Sequence, residues 1–263
     1  MYGREDSMKY NENLDLYKEL WSPSKRDNRI MGSSVLWRTV DMGKPVTFPE
    51  VPWAMDAAGN YSATTGTWEW EFSRNDINQI EDAEMIRDHM LKAIYGSFHN
   101  AKQKPENANL AMEWTSYLVG KRESRRLVGD YIYTFQDEKK MTEFPDAIAM
   151  EKRNIDVHYQ LNLLNTAQPD FLSEALYYKV DHYYIPYRSL YSKNIKNLLM
   201  AGRCFSCSHV GLGGPRVMNT TGQMGVAVGY AASICKKYNT DPRGVYNLHI
   251  EELKNLIYSK KLH

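Results

Sequence analysis

Residues 201–232 read AGRCFSCSHVGLGGPRVMNTTGQMGVAVGYAA and follow directly on the apolar run Asn197-Leu-Leu-Met. The run over 197–201 predicts a strand buried on both faces. Glycines at 202, 211, 213, 214, 222, 225 and 229 predict a tight loop that leads into a helix. That helix is expected from about Asn219 or Thr220 to Lys237, with Ala227, Ala231 and Ala232 on it. A strand, a glycine-rich loop and a helix start bring bare backbone and unpaired N–H groups close to a flat or anionic ligand. The spacing is not that of a dinucleotide fingerprint, because Pro215 and Arg216 interrupt it and Gly211 lies well after Gly202. On spacing alone, a helix–strand packing corner accounts for the pattern equally well.

Upstream the periodicity is different. Residues 32–41 alternate as a half-buried strand, and residues 64–72 predict a second strand. A helix capped by Asn75 or Asp76 is expected to carry Ile80, Ala83, Ile86, Met90, Leu91, Ile94 and Phe98 on one stripe. A further helix is expected over 106–118, after Pro105. Aromatic and β-branched residues over 127–135, 154–161 and 176–190 predict strands of a mixed or antiparallel sheet. The tail predicts an amphipathic helix over 245–260. The fold class is therefore α+β, with a C-terminal strand–loop–helix unit. The expected organisation is a connecting segment over 1–30, an α+β domain over 31–192, the glycine-rich unit over 193–238 and a helical tail over 239–263.

Composition excludes several functions. With 33 Lys+Arg against 32 Asp+Glu in 263 residues, the chain is neither a strongly basic nucleic-acid binder nor an acidic tail protein. An apolar content of 43% excludes wholesale disorder. No apolar run approaches the ~20 residues of a membrane-spanning helix. The polar start lacks a signal peptide's apolar stretch, and three cysteines make no disulfide framework. The cytoplasm is the default location, and a leader further upstream would make it periplasmic or secreted. Cys204-Phe-Ser-Cys207 has dithiol spacing but lacks a thioredoxin-like setting, and no second pair completes a zinc site. No metal ligands are assigned.

The segment at 201–232 resembles the C-terminal flavin-binding segment of a family of FAD-dependent oxidoreductases, which have a two-part flavin site of glutathione-reductase-like type. The family's usual form is NLLVAGRCIS-x-x-H-x-x-LG-x-x-RVM followed by a small-residue helix. Gly120-Lys-Arg-Glu-Ser-Arg-Arg-Leu-Val-Gly-Asp130 is similar to the family's RESRR-x-x-GDY, and Tyr2-Gly-Arg-Glu5 matches near the start. The Met31-Gly-Ser-Ser and Asp41-Met-Gly-Lys-Pro stretches add to the match, which covers nearly the whole chain. Cys204 agrees with the pattern, whereas Cys207 stands where a small residue is usual.

The resemblance implies FAD as cofactor and hydride transfer from a small substrate. Aromatic residues such as Trp68, Trp70, Tyr183 and Tyr184 could stack on sugar rings, although core and sheet-face roles are commoner for them. It places Gly202, Arg203, Cys204, Gly213, Gly214, Arg216, Thr220, Thr221, Gly222 and Gln223 at the flavin. His209 would be a base or would polarise a substrate hydroxyl, with a supporting loop histidine as the alternative. Arg122 or Arg125 would hold an anionic or hydroxylated substrate. The sequence has no G-x-G-x-x-G for the ADP half of FAD. The expectation is either a truncated chain or one subunit completed by a separate FAD-domain polypeptide, with an exposed face suited to self-association. A non-catalytic ligand- or partner-binding domain and a dithiol redox protein are the alternatives.

Overall fold

The computed structural model describes residues 1–12, 18–57, 59, 61–74, 76–159 and 169–259. In chain order it contains α1 (Lys18–Trp21), β1 (Ser33–Ser34), β2 (Trp37–Asp41), β3 (Thr65–Gly66) and β4 (Glu71–Phe72). There follow α2 (Ala83–Lys102), β5 (Leu110–Thr115), β6 (Gly120–Lys121), α3 (Phe135–Lys139) and β7 (Ala147–Glu151). The remainder are β8 (Ile155–Tyr159), β9 (Glu174–Tyr178), β10 (Tyr183–Pro186), α4 (Met218–Tyr238) and α5 (Pro242–Tyr258). Helices with small antiparallel sheets make the chain α+β. It divides into two compact units.

One unit comprises Met31–Arg122 and His158–Glu174. Its sheets run β4-β1-β6 and β3-β2-β5. Of the expected stripe, Ile86, Met90, Ile94 and Phe98 are buried on α2, joined by Ala93 and Ala101, whereas Ala83 and Leu91 are half-buried and Ile80 precedes the helix. Burying each large side chain is worth about 1.5–3 kcal/mol. Against them pack Trp37 and Trp70, edge to face at 5.3 Å, and Phe171 stacked on Trp70. Trp70 is thus core. The helix starts at Ala83, later than expected, because Asn78 and Asp82 build a turn ahead of it. Asp82 Oδ2 accepts from Asn78 N at 2.7 Å, and Asn78 Oδ1 accepts from Ile80 N at 2.9 Å. The alternative cap, Asn75, lies outside the described residues.

The helix expected over 106–118 is a correction. Residues Pro105–Asn107 form one 3-10 turn, and Leu110–Thr115 is strand β5, paired antiparallel with β2 from Trp37↔Thr115 to Asp41↔Leu110. Lys102 Nζ donates to the carbonyls of Asn107, Ala108 and Leu110, which turns the chain out of α2 into that strand. A ladder with β2 satisfied the backbone where local propensity was indifferent.

The other unit comprises Met1–Ile30, Glu123–Val157 and Ala175–His263. Strands β7 and β10 pair antiparallel, and β8 pairs with β9. Residues 160 and 161 of the expected strand 154–161 lie outside the described residues. The expected strand over 176–190 is divided between β9 and β10. The strand expected over 127–135 is a second correction. Only the bridges Gly129↔Ser192 and Tyr133↔Cys207 form there, and the chain turns into α3 at Phe135. Asp137 Oδ2 accepts from both Thr134 N and Oγ1, which starts that helix.

The expected strand over 197–201 is a third correction. It makes the bridge Tyr191↔Leu199, with Met200 buried and Asn197 exposed. The following helix is as expected, one position early: α4 buries Thr220, Met224, Ala227, Ala231 and Ile234. Asn239 closes it in a left-handed conformation, and Asp241 caps α5 by accepting from Gly244 N at 2.8 Å. Residue 260 of the expected tail helix lies outside the described residues. Residues 1–30 enter the core of this unit, where Trp21 packs edge to face on Phe135 at 5.6 Å.

Candidate functional site

In the unit that contains α4, three sequence segments meet around Arg126, which is fully buried. Its Nε donates to Cys207 O at 3.1 Å, and Nη2 donates to Gly3 O and Glu5 Oε1, both at 2.7 Å. Its Nη1 pairs with Glu123. Glu123 Oε2 lies 2.9 Å from His209 Nδ1, and the backbone N of His209 donates to Glu5 Oε2 at 2.8 Å. Gly3 makes the entry geometry available: its φ is +85°, and a Cβ there would stand 2.0 Å from Asp27 O. Arg4, also buried, holds Asp27 and donates to the carbonyls of Glu19 and Leu20 at the end of α1.

Electrostatics follow from this arrangement. Burial, with the Arg126 and Arg4 guanidinium groups, drives His209 down to about 3. The imidazole is therefore neutral at physiological pH. Its Nδ1–H faces the Glu123 carboxylate, and Nε2 has no hydrogen-bond partner among the described residues. Burial would raise Glu5, but Arg126 and the His209 N–H outweigh it and hold its carboxyl below the usual range. At Glu12 burial outweighs the pull of Arg126. Burial raises it to about 7 despite hydrogen bonds from Ser208 Oγ at 2.5 Å and Phe135 N at 2.9 Å.

The residues expected at the flavin fall into two groups. Gly202 has φ +83° and nothing within 4 Å of a Cβ position, Arg203 is exposed, Cys204 is half-buried, and Gly222 is equally open. Thr221 is half-buried, with its hydroxyl on Met218 O. The others are engaged inside the unit. A Cβ on Gly213 would stand 2.7 Å from Val157 Cγ2, and one on Gly214 would stand 2.4 Å from Tyr183 Oη. Arg216 pairs with Asp156 at 3.1 Å. Thr220 donates to Glu151 at 2.8 Å, and Gln223 exchanges hydrogen bonds with the backbone of Met150. These last two fasten the first turn of α4 to β7. Cys207 is buried with its thiol pushed well up by burial, which removes the nucleophilic thiolate a dithiol pair needs.

Arg125 is exposed, whereas Arg122 is anchored in the unit that contains α2. There its Nε lies 2.8 Å from Glu71 Oε2 and its Nη2 donates to Ser34 Oγ at 2.8 Å and to Trp68 O. His158 Nδ1 is 2.6 Å from the same Glu71 oxygen. Burial opposes ionisation of Glu71, yet His158 and Arg122 hold it down to about 2. Trp68, half-exposed, sets its ring edge to face against His158 at 5.6 Å. A Cβ on Gly32 would stand 2.7 Å from Glu71, so glycine leaves that carboxylate its place.

Sequence reading missed Glu5, Glu12, Glu71, Glu123, Arg126 and His158 as site residues. The signal available was that Glu5, Glu123 and Arg126 lie inside the quoted motifs. Glu12, Glu71 and His158 carry no local signal.

The segments Gly3–Glu5, Glu123–Arg126 and Cys207–His209 thus converge on interlocked, buried ion pairs. The family model for FAD dependent oxidoreductase matches residues 12–257. The chain belongs to that family. Membership makes FAD its cofactor and oxidoreductase its general activity. No curated protein and no solved structure matches the chain. The residues present fit a flavin: open backbone at Gly202 and Gly222 leaves room for a flat ring, and α4 has no acidic residue in its first turn and no side-chain cap. Among the described residues, no helix is long and apolar enough to cross a membrane.

Proposed function

We propose that this chain supplies the substrate-type unit and the pyrimidine-side flavin segment of an oxidoreductase acting on a small hydroxylated substrate, sugar-like rings among them. The observation that carries the reading is the pairing of open backbone at Gly202 and Gly222 with a fully engaged interior behind it. Bound FAD supplies the hydride acceptor for a substrate C–H bond.

The first turn of α4 offers unpaired N–H groups and positive dipole potential to the side of the ring where charge collects. Gly202 and Arg203 would hold the ribityl chain of the bound cofactor, with Cys204 beside them in the motif. Thr220 and Gln223 set the position of that turn through Glu151 and Met150. Gly213, Gly214 and Arg216 shape the loop behind it. His209, neutral and with one tautomer favoured by Glu123, suits accepting a hydrogen bond from a substrate hydroxyl better than storing its proton, since a base near 3 is weak at neutral pH. Arg125, exposed, is the substrate-side cation in the unit that contains α4, since Arg122 is committed to Glu71. The ADP half of the cofactor is held by residues other than a G-x-G-x-x-G, since residues 1–263 contain none. The open face of α4, with Gly222, Gly225 and Gly229, is the surface a further segment or a second copy would cover. Sedimentation as a monomer at every concentration would remove the self-association.

The test is titration of the chain with FAD, followed by quenching of flavin fluorescence. Arg203→Ala and Gly222→Leu should each weaken uptake about tenfold or more, a change of ~1.4 kcal/mol, with unfolding temperature preserved. Equal uptake by native chain and both variants would move the flavin elsewhere. No uptake by the native chain would count against cofactor binding by this chain alone.

A further inference from the structure

We draw no further inference here: the strongest candidate, the cleft between the loop over residues 50–56 and the C-terminal half of α2, presents the exposed acids Glu50 and Asp56 beside His99 and Asn100, and no second observation in the structure points to a ligand for that acidic pair.

Discussion

Glu123 holds His209 by its Nδ1 nitrogen at 2.9 Å while its other oxygen pairs with Arg126, so one buried carboxylate serves both an imidazole and a guanidinium. Removing the charge from Glu123 leaves Arg126 with Glu5 as its one carboxylate partner in this network and weakens the preference of His209 for one tautomer. Glu123→Gln should destabilise the chain by about 3–5 kcal/mol, the cost of breaking a buried ion pair. Chemical denaturation monitored by circular dichroism measures it. A change within experimental error would mean that Glu5 alone satisfies Arg126.

Two groups in this unit titrate with opposite consequences for stability. His209 falls from 6.5 to about 3 on folding, so the unfolded chain binds the extra proton between those values and stability declines as pH drops through that window. Glu12 rises from 4.5 to about 7, so the folded chain binds the extra proton and stability declines as pH climbs from 4.5 to 7. Each slope is about 1.4 kcal/mol per pH unit in the middle of its window. Between 4.5 and 6.5 they oppose, and the native chain should be flatter than either variant. Glu12→Gln should make stability rise with pH there, and His209→Gln should make it fall. Urea denaturation at half-unit pH steps reads both.

Gly3→Ala combines a left-handed backbone with a Cβ 2.0 Å from Asp27 O. Strain at such a position costs on the order of 1–3 kcal/mol before the clash is counted. The variant should unfold at a clearly lower urea midpoint, with Arg126 losing the Gly3 carbonyl as a partner.

Arg122→Gln in the α2-containing unit should let the Glu71 carboxyl rise from about 2 towards its ordinary 4.5. A carboxyl depressed on folding contributes stability that is lost as pH falls from 4.5 to 2. The variant should therefore be less stable at neutral pH and should lose less on acidification across that window. An acid-unfolding profile that matches the native one would mean that His158 holds Glu71 unaided.

Gly225 and Gly229 lie mid-helix on the open face of α4, where a Cβ meets nothing within 4 Å. Alanine at either should raise the stability of the isolated chain by about 0.5–1 kcal/mol through helix propensity. The same substitutions should weaken whatever packs on that face. Thermal unfolding and sedimentation, measured on the same samples, separate the two effects.

Local sequence determined the features that depend on neighbours three or four residues apart. The α2 stripe of Ile86, Met90, Ile94 and Phe98, the small-residue helix α4 and the amphipathic α5 were all legible from periodicity. Family membership was legible because its motifs are contiguous. Segment 110–115 was not legible, since its state depended on pairing with β2 across a long stretch of chain. The site was legible only in part. His209 could be singled out in the sequence, but Glu5 and Glu12, near the chain start, bond to residues about 200 positions away, and no local pattern records such a partner. Arg122 and Arg126 stand four residues apart in one motif, yet Arg122 serves Glu71 and Arg126 serves Glu5 and Glu123. Burying a charge requires an opposite charge in contact, and only the tertiary fold decides which carboxylate each arginine meets.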